Sequence, residues 1–196
     1  MSVRKIITVP DKILREVSTP IDKVGKFEKK LIDDLFESMY DSNGIGLAAI
    51  QIGIPKRVIV LDVSSKKDEK MPICFINPVI IKKSKKLSSY EEGCLSIPDT
   101  FVEIERPSTC EVQYLDYDGK ENIIKCEGLL STCIQHEIAH CDGHLIIDFL
   151  SKFKKDMLIK KMKLLMSIKV VSLKLVFLIK TWLMQLFFGL LNMLNL

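Results

Sequence analysis

Residues 129–142 read LLSTCIQHEIAHCD, and Gly143 follows. This stretch decides the fold, because its middle, His136-Glu137-Ile138-Ala139-His140, has HExxH spacing. On a helix, positions four apart share a face, so both imidazoles can reach one ion. Glu137 sits one residue past the first, where its carboxylate can meet water on the ion without binding the ion itself. A metal lowers the pKa of its water from about 15.7 toward ~7, so a nucleophile is available near neutrality. Glu137 can take the proton and later give it to a leaving amine. Gly143 suits the C-terminal cap. The chain has only three histidines, all between residues 136 and 144. A scattered set would suggest surface or core roles; a cluster marks one site.

Two imidazoles need a third ligand, and a hydrolytic site keeps one position open. His144 is close, but a cap at Gly143 turns the chain away. The metzincin pattern would need a histidine at 146, where this chain has Ile146. Cys94, in Glu91-Glu92-Gly93-Cys94-Leu95-Ser96, is the third candidate. A thiolate with two imidazoles suits zinc or ferrous iron.

Outward from this helix, residues 109–117 and 120–127 read as strands flanking Asp118-Gly119, a strong hairpin signal. Runs at 57–63 and 73–81 read as further strands, and 82–86 (KKSKK) as a solvated turn. Residues 27–42 place Phe27, Leu31, Leu35, Phe36 and Met39 on one helical face, and Asn43-Gly44 stops that helix. The order predicts an α+β domain, with antiparallel or mixed sheets around a central histidine-bearing helix. At 196 residues the chain is long enough to bury one core. A net charge of +4 gives no argument for DNA binding. The N-terminus shows no apolar signal region. Six cysteines without a C-x-x-C pair point to a reducing compartment, where a cysteine acts as a thiolate.

Three segments, in order, resemble the motifs of the peptide deformylase family: Gly44-Ile45-Gly46-Leu47-Ala48-Ala49-Ile50-Gln51, Glu92-Gly93-Cys94-Leu95-Ser96 and Gln135-His136-Glu137-Ile138-Ala139-His140. The resemblance runs to about Lys163. It implies removal of the formyl group from N-terminal formyl-methionine of nascent polypeptides, in a bacterial-type cytoplasm. It implies one divalent metal, Fe²⁺ first, with Zn²⁺, Ni²⁺ or Co²⁺ as substitutes, on Cys94, His136 and His140. Glu137 is then the acid–base, and the Gln51 amide and Leu95 N–H hold the oxyanion. The backbones of Ile45, Gly46 and Gly93 pair with the substrate as an added strand, a mode that reads no side chains. A pocket near Leu129 and Cys133 takes the methionine side chain. In plainer terms the glycines are tight turns, Gln51 closes a strand and Cys133 is core packing.

One departure stands out. The family usually has Asp where this chain has Ala139. That Asp is expected to pair with the arginine matching Arg106, so Arg106 must be solvated or find another partner, such as Asp142 or Asp148.

The character changes near residue 164, and after Asp156 there is no acidic residue. Residues 1–163 read as the metallohydrolase domain and 164–196 as an apolar, helical tail. A narrow polar stripe (Lys163, Ser167, Lys174, Thr181, Gln185, Asn192) marks the tail as a helix packed on apolar surroundings, with membrane contact open. A frame-shifted extension fits its composition equally. Lys152, Lys154, Lys155, Lys160, Lys161 and Lys163 suit docking on the ribosome surface. Two rival functions remain: an HExxH metallopeptidase that cuts internal bonds, and an inactive metal-binding relative.

Overall fold

The computed structural model describes residues 2–64 and 70–165, together with 167, 168 and 174. Two compact units are present, Met1–Lys155 and Asp156–Leu196. The first holds helix α1 (Lys26–Asp41), strands β1 (Gly46–Ala48), β2 (Val58–Leu61), β3 (Ile73–Lys83), β4 (Leu87–Cys94), β5 (Ile97–Pro107), β6 (Thr109–Leu115) and β7 (Glu121–Glu127), and helix α2 (Gly128–Cys141). Residues 152–165 are helical. Most of 164–196, including the polar stripe beyond Lys174, lies outside the described residues. Among the described residues no helix is long and apolar enough to cross a membrane.

Five strands form one sheet in the order β1-β2-β3-β6-β7, and β4 and β5 form a separate hairpin. Every strand pairing is antiparallel. Helix α2 covers one face of the large sheet and α1 the other. Strand β2 records this directly. Its Ile59 and Leu61 pack with Ile134 and Ile138 of α2, while Val58 and Val60 pack with Leu35 and Met39 of α1. A strand covered on both faces reads as a continuous apolar run rather than an alternation. The expected α1 face holds for Leu31, Leu35 and Met39, but Phe27 is 60% exposed at the first turn, beyond the edge of the core.

The β6–β7 hairpin forms as expected, though its turn is longer than two residues. The Asp116 carboxylate accepts from the backbone N–H of Asp118 and Lys120 and from the Asn122 amide, organising a loop in which Gly119 takes φ +79°. The stop after α1 is made by Asn43, at φ +54°, with Gly44 N–H returning to the Met39 carbonyl. Gly143 closes α2 at φ +76°, its N–H bonded to the His140 carbonyl. The β4–β5 hairpin had no sequence expectation. Its buried face is an alternation of Val102, Ile104 and Arg106 against exposed Glu103 and Glu105.

Candidate metal centre and its pocket

Cys94 ends β4, and His136 and His140 lie one turn apart on α2. Their ligand atoms all fall within 4.8 Å of one another. Cys94 Sγ lies 3.2 Å from His140 Nε2, which lies 3.2 Å from His136 Nε2. A tetrahedral ion with nitrogen ligands at about 2.0–2.1 Å spaces those nitrogens roughly 3.3 Å apart, so the donor set fits a single small cation. Without an ion, burial opposes a proton on His136, but hydrogen bonds with Cys94 and Glu92 outweigh it and push its pKa up to about 10. His140 is driven well down, by burial and then by the charge of His136.

The buried acid beside it is Glu137. Burial pushes its carboxyl up to about 7, and its Oε2 has no partner among the described residues. Gly46 explains how it fits: a Cβ there would stand 2.5 Å from Glu137 Oε1. Gln51 lies in a short 3₁₀ turn (Ala49–Ile52) rather than closing a strand. Its Oε1 accepts from Ala48 N–H at 2.8 Å, which aims its Nε2 at Ser96 Oγ, 3.1 Å away, and at Cys94 Sγ, 3.7 Å away.

A pocket of about 530 Å³ opens over these groups. Its lining includes Gln51, Cys94, His136 and Glu137, with Ile45, Gly46, Gly93, Leu95, Leu129 and Cys133. His140, 1% exposed, is outside the lining. His144 is exposed past Gly143 and does not join the donors.

Arg106 finds another partner, as the sequence reading required, but not either of the two aspartates named there. It is neither solvated nor bound to Asp142 or Asp148. Its Nε and Nη2 donate to Glu92 Oε1 at 2.5 Å and Oε2 at 2.9 Å, and the pair is buried. Asp142 pairs with Arg57, and Asp148 with Arg15 and Lys155. Glu92 Oε2 also meets His136 Nδ1 at 2.8 Å, which fixes the ring with Nε2 toward the cluster. Burial opposes ionisation of Glu92, yet His136 and Arg106 hold its carboxyl below the usual range. Glu92 and Ser96 are the residues sequence reasoning missed, although both sit in the Cys94 segment.

The polypeptide deformylase family model matches residues 3–156. The chain belongs to this family. A peptide deformylase of Pelagibacter ubique is 56% identical over 171 residues, 87% of this chain and 99% of that one. The structure of the Ehrlichia chaffeensis peptide deformylase in complex with actinonin is 46% identical and superposes with a TM-score of 0.78, covering 83% of this chain and 97% of that one. A Met-Ala-Ser-bound deformylase of Acinetobacter baumannii, 28% identical, gives 0.71 over 75% of this chain and 98% of that one. Deformylases are metal-dependent enzymes, and Cys94, His136 and His140 are the candidate metal ligands here.

Proposed function

We propose that the chain hydrolyses the N-formyl group from formyl-methionyl polypeptides in the cytoplasm, releasing formate. One observation carries the details: three ligand atoms converge, two of their residues, Cys94 and His136, line the pocket together with Glu137, and the Glu137 Oε2 is buried without a partner among the described residues. Cys94, His136 and His140 hold the divalent ion, Fe²⁺ by preference, with Zn²⁺, Ni²⁺ or Co²⁺ able to substitute. When bound, the ion supplies a Lewis acid for the carbonyl and for water. Glu137 takes the proton of the attacking water on a carboxylate oxygen and returns it to the departing amine; a pKa near neutrality suits both transfers. The Gln51 Nε2–H and the Leu95 backbone N–H stabilise the oxyanion, each such donor being worth ~10²–10³ in rate. The peptide lies as an added strand along the free edge of β1 at Ile45 and Gly46 and across to Gly93. The methionine side chain enters beside Leu129 and Cys133. That the Acinetobacter baumannii deformylase binds Met-Ala-Ser supports a methionyl peptide as the ligand. The lysines of the 152–165 helix are proposed to meet the ribosome surface.

The test is formate release from formyl-Met-Ala-Ser under anaerobic conditions, with bound-metal analysis, on wild type and Glu137→Ala. The variant should keep its metal and lose ~10²–10⁴ in turnover. Cleavage of an unformylated peptide instead would make the chain a general metallopeptidase. A metal-replete wild type without turnover would make it an inactive relative.

A further inference from the structure

Leu129, Thr132, Cys133 and His136 of α2 all line the pocket. Positions three and four apart share a helix face, so these four form one wall, running from the first turn of α2 to the candidate metal ligand. Leu129 and Cys133 suit an apolar side chain, but Thr132 does not follow the pattern. It is 3% exposed, and its Oγ1 donates to the Gly128 carbonyl at 3.5 Å, far longer than an ordinary O–H bond. Little is lost if that O–H turns to another acceptor. From β4, Tyr90 also lines the pocket, half-buried. Its hydroxyl comes within 3.9 Å of where a Cβ on Gly128 would stand. The Tyr40 and Tyr117 hydroxyls donate to aspartates; that of Tyr90 bonds to nothing among the described residues. Two hydroxyls, one unbonded and one loosely bonded, thus converge on the first residue of α2.

A thioether needs no such donors, because its sulfur is a weak acceptor. Their distance from the chemistry is informative. Thr132 precedes His136 by four residues, a rise of about 6 Å along the helix. With the formyl carbon at the ligand cluster, ordinary bond lengths set the sulfur of an extended methionine side chain about that far away. Oxidation to methionine sulfoxide places an oxygen on this sulfur, making the side chain polar and the sulfur chiral.

We infer that the pocket also admits N-formyl-methionine sulfoxide, with Tyr90 and Thr132 donating hydrogen bonds to the sulfoxide oxygen, so that chains whose first residue has been oxidised are still deformylated. The inference rests on the methionine placement proposed above. The reaction is the same hydrolysis. Water adds to the formyl carbon, the C–N bond breaks, formate leaves and the amine departs with a proton. The sulfur stays at the sulfoxide level throughout, so no reductant is required. A wholly apolar pocket would leave the oxygen buried without a donor, a loss of roughly 10–100-fold. Two donors remove that penalty. Because they come from different elements, β4 and α2, they meet one sulfoxide epimer better than the other.

The test uses the full, metal-loaded chain and formate release. It compares kcat/KM for formyl-Met-Ala-Ser, formyl-norleucine-Ala-Ser and the two resolved epimers of formyl-methionine-sulfoxide-Ala-Ser. One epimer should turn over within about 10-fold of the norleucine peptide, where an unpaired oxygen would cost up to ~100-fold. The other epimer should be slower by at least ~5-fold, the lower end of a single hydrogen bond's worth. Tyr90→Phe and Thr132→Val should each lower the ratio of the favoured epimer to norleucine by ~10-fold and narrow the gap between epimers. A packing defect alone would slow every peptide alike and leave these ratios in place. The inference is overturned, with the proposed function intact, by ratios that neither variant moves, or by a wild type that turns over the methionine and norleucine peptides but rejects both epimers. No turnover of the methionine peptide would overturn the reading beneath it.

Discussion

The middle and the C-terminus of α2 are held by opposite means. Near its middle, on the β4–β5 side, Glu92 joins Arg106 to His136 in a buried network, and Gln135 and Ser131 add hydrogen bonds to the Pro107 carbonyl. At its C-terminus the tethers are surface pairs, Arg57 with Asp142 and Arg15 with Asp148, gathered around Gly143. The first set sits where a ligand ring must be aimed; the second only fixes where the chain leaves the helix. The contrast teaches that, along α2, the buried ion pair sits where the orientation of an imidazole depends on it. Such a pair adds little net stability, but breaking it is costly.

The largest break should come from Glu92→Ala. It leaves Arg106 buried and unpaired, so unfolding free energy in urea should fall by about 3–5 kcal/mol. Metal affinity, read by chelator competition, should drop ~10–100-fold. Glu92→Gln sharpens the point: an acceptor for His136 remains, so metal affinity should recover more than stability does. Next comes Gly143→Ala. Its φ is +76°, and a Cβ would stand 2.6 Å from the Arg15 carbonyl oxygen. The left-handed conformation alone costs about 1–2 kcal/mol, visible as a lower Tm with metal content unchanged.

Asp148→Asn should cost only about 0.2–1 kcal/mol near neutral pH. Its pH dependence has a definite sign. Burial opposes ionisation of Asp148, but Arg15 and Lys155 hold its carboxyl well below the usual range. A depressed folded pKa gives stability that is complete above the unfolded value of about 3.9 and lost as pH falls through the folded one. Wild type and variant should therefore converge in urea stability below pH 4 and separate above it. An effect of the same order as that of Asp148→Asn belongs to Ala139→Asp. Because Glu92 already satisfies Arg106, the added carboxylate gains no buried partner. It meets the negative end of α2 instead and should cost about 0.3–1 kcal/mol.

The convergence of Cys94, His136 and His140 was readable because a helix converts spacing of four into proximity, and because Cys94 sits in a recognisable segment. The α1 and β2 cores were readable from periodicity. Arg106 shows what spacing alone leaves out. Its partner, Glu92, is 14 positions away in sequence and meets it only through β4–β5 pairing. The signal was present in Val102-x-Ile104-x-Arg106, an alternation that turns the arginine inward and so demands a buried acid. The charged residues between hid that strand. Ser96 was missed for a different reason: nothing in a serine's identity says that it shares the Gln51 amide with Cys94.

Strand β1 ends the sheet with one side unpaired and spans only Gly46–Ala48. A longer open ladder would invite a neighbouring chain to stack on it and seed aggregation. Three residues offer a grip to an extended end of another polypeptide while giving a second copy too short a rail to follow. If the proposed function holds, brevity at this edge keeps a peptide-binding surface from becoming a polymerisation surface.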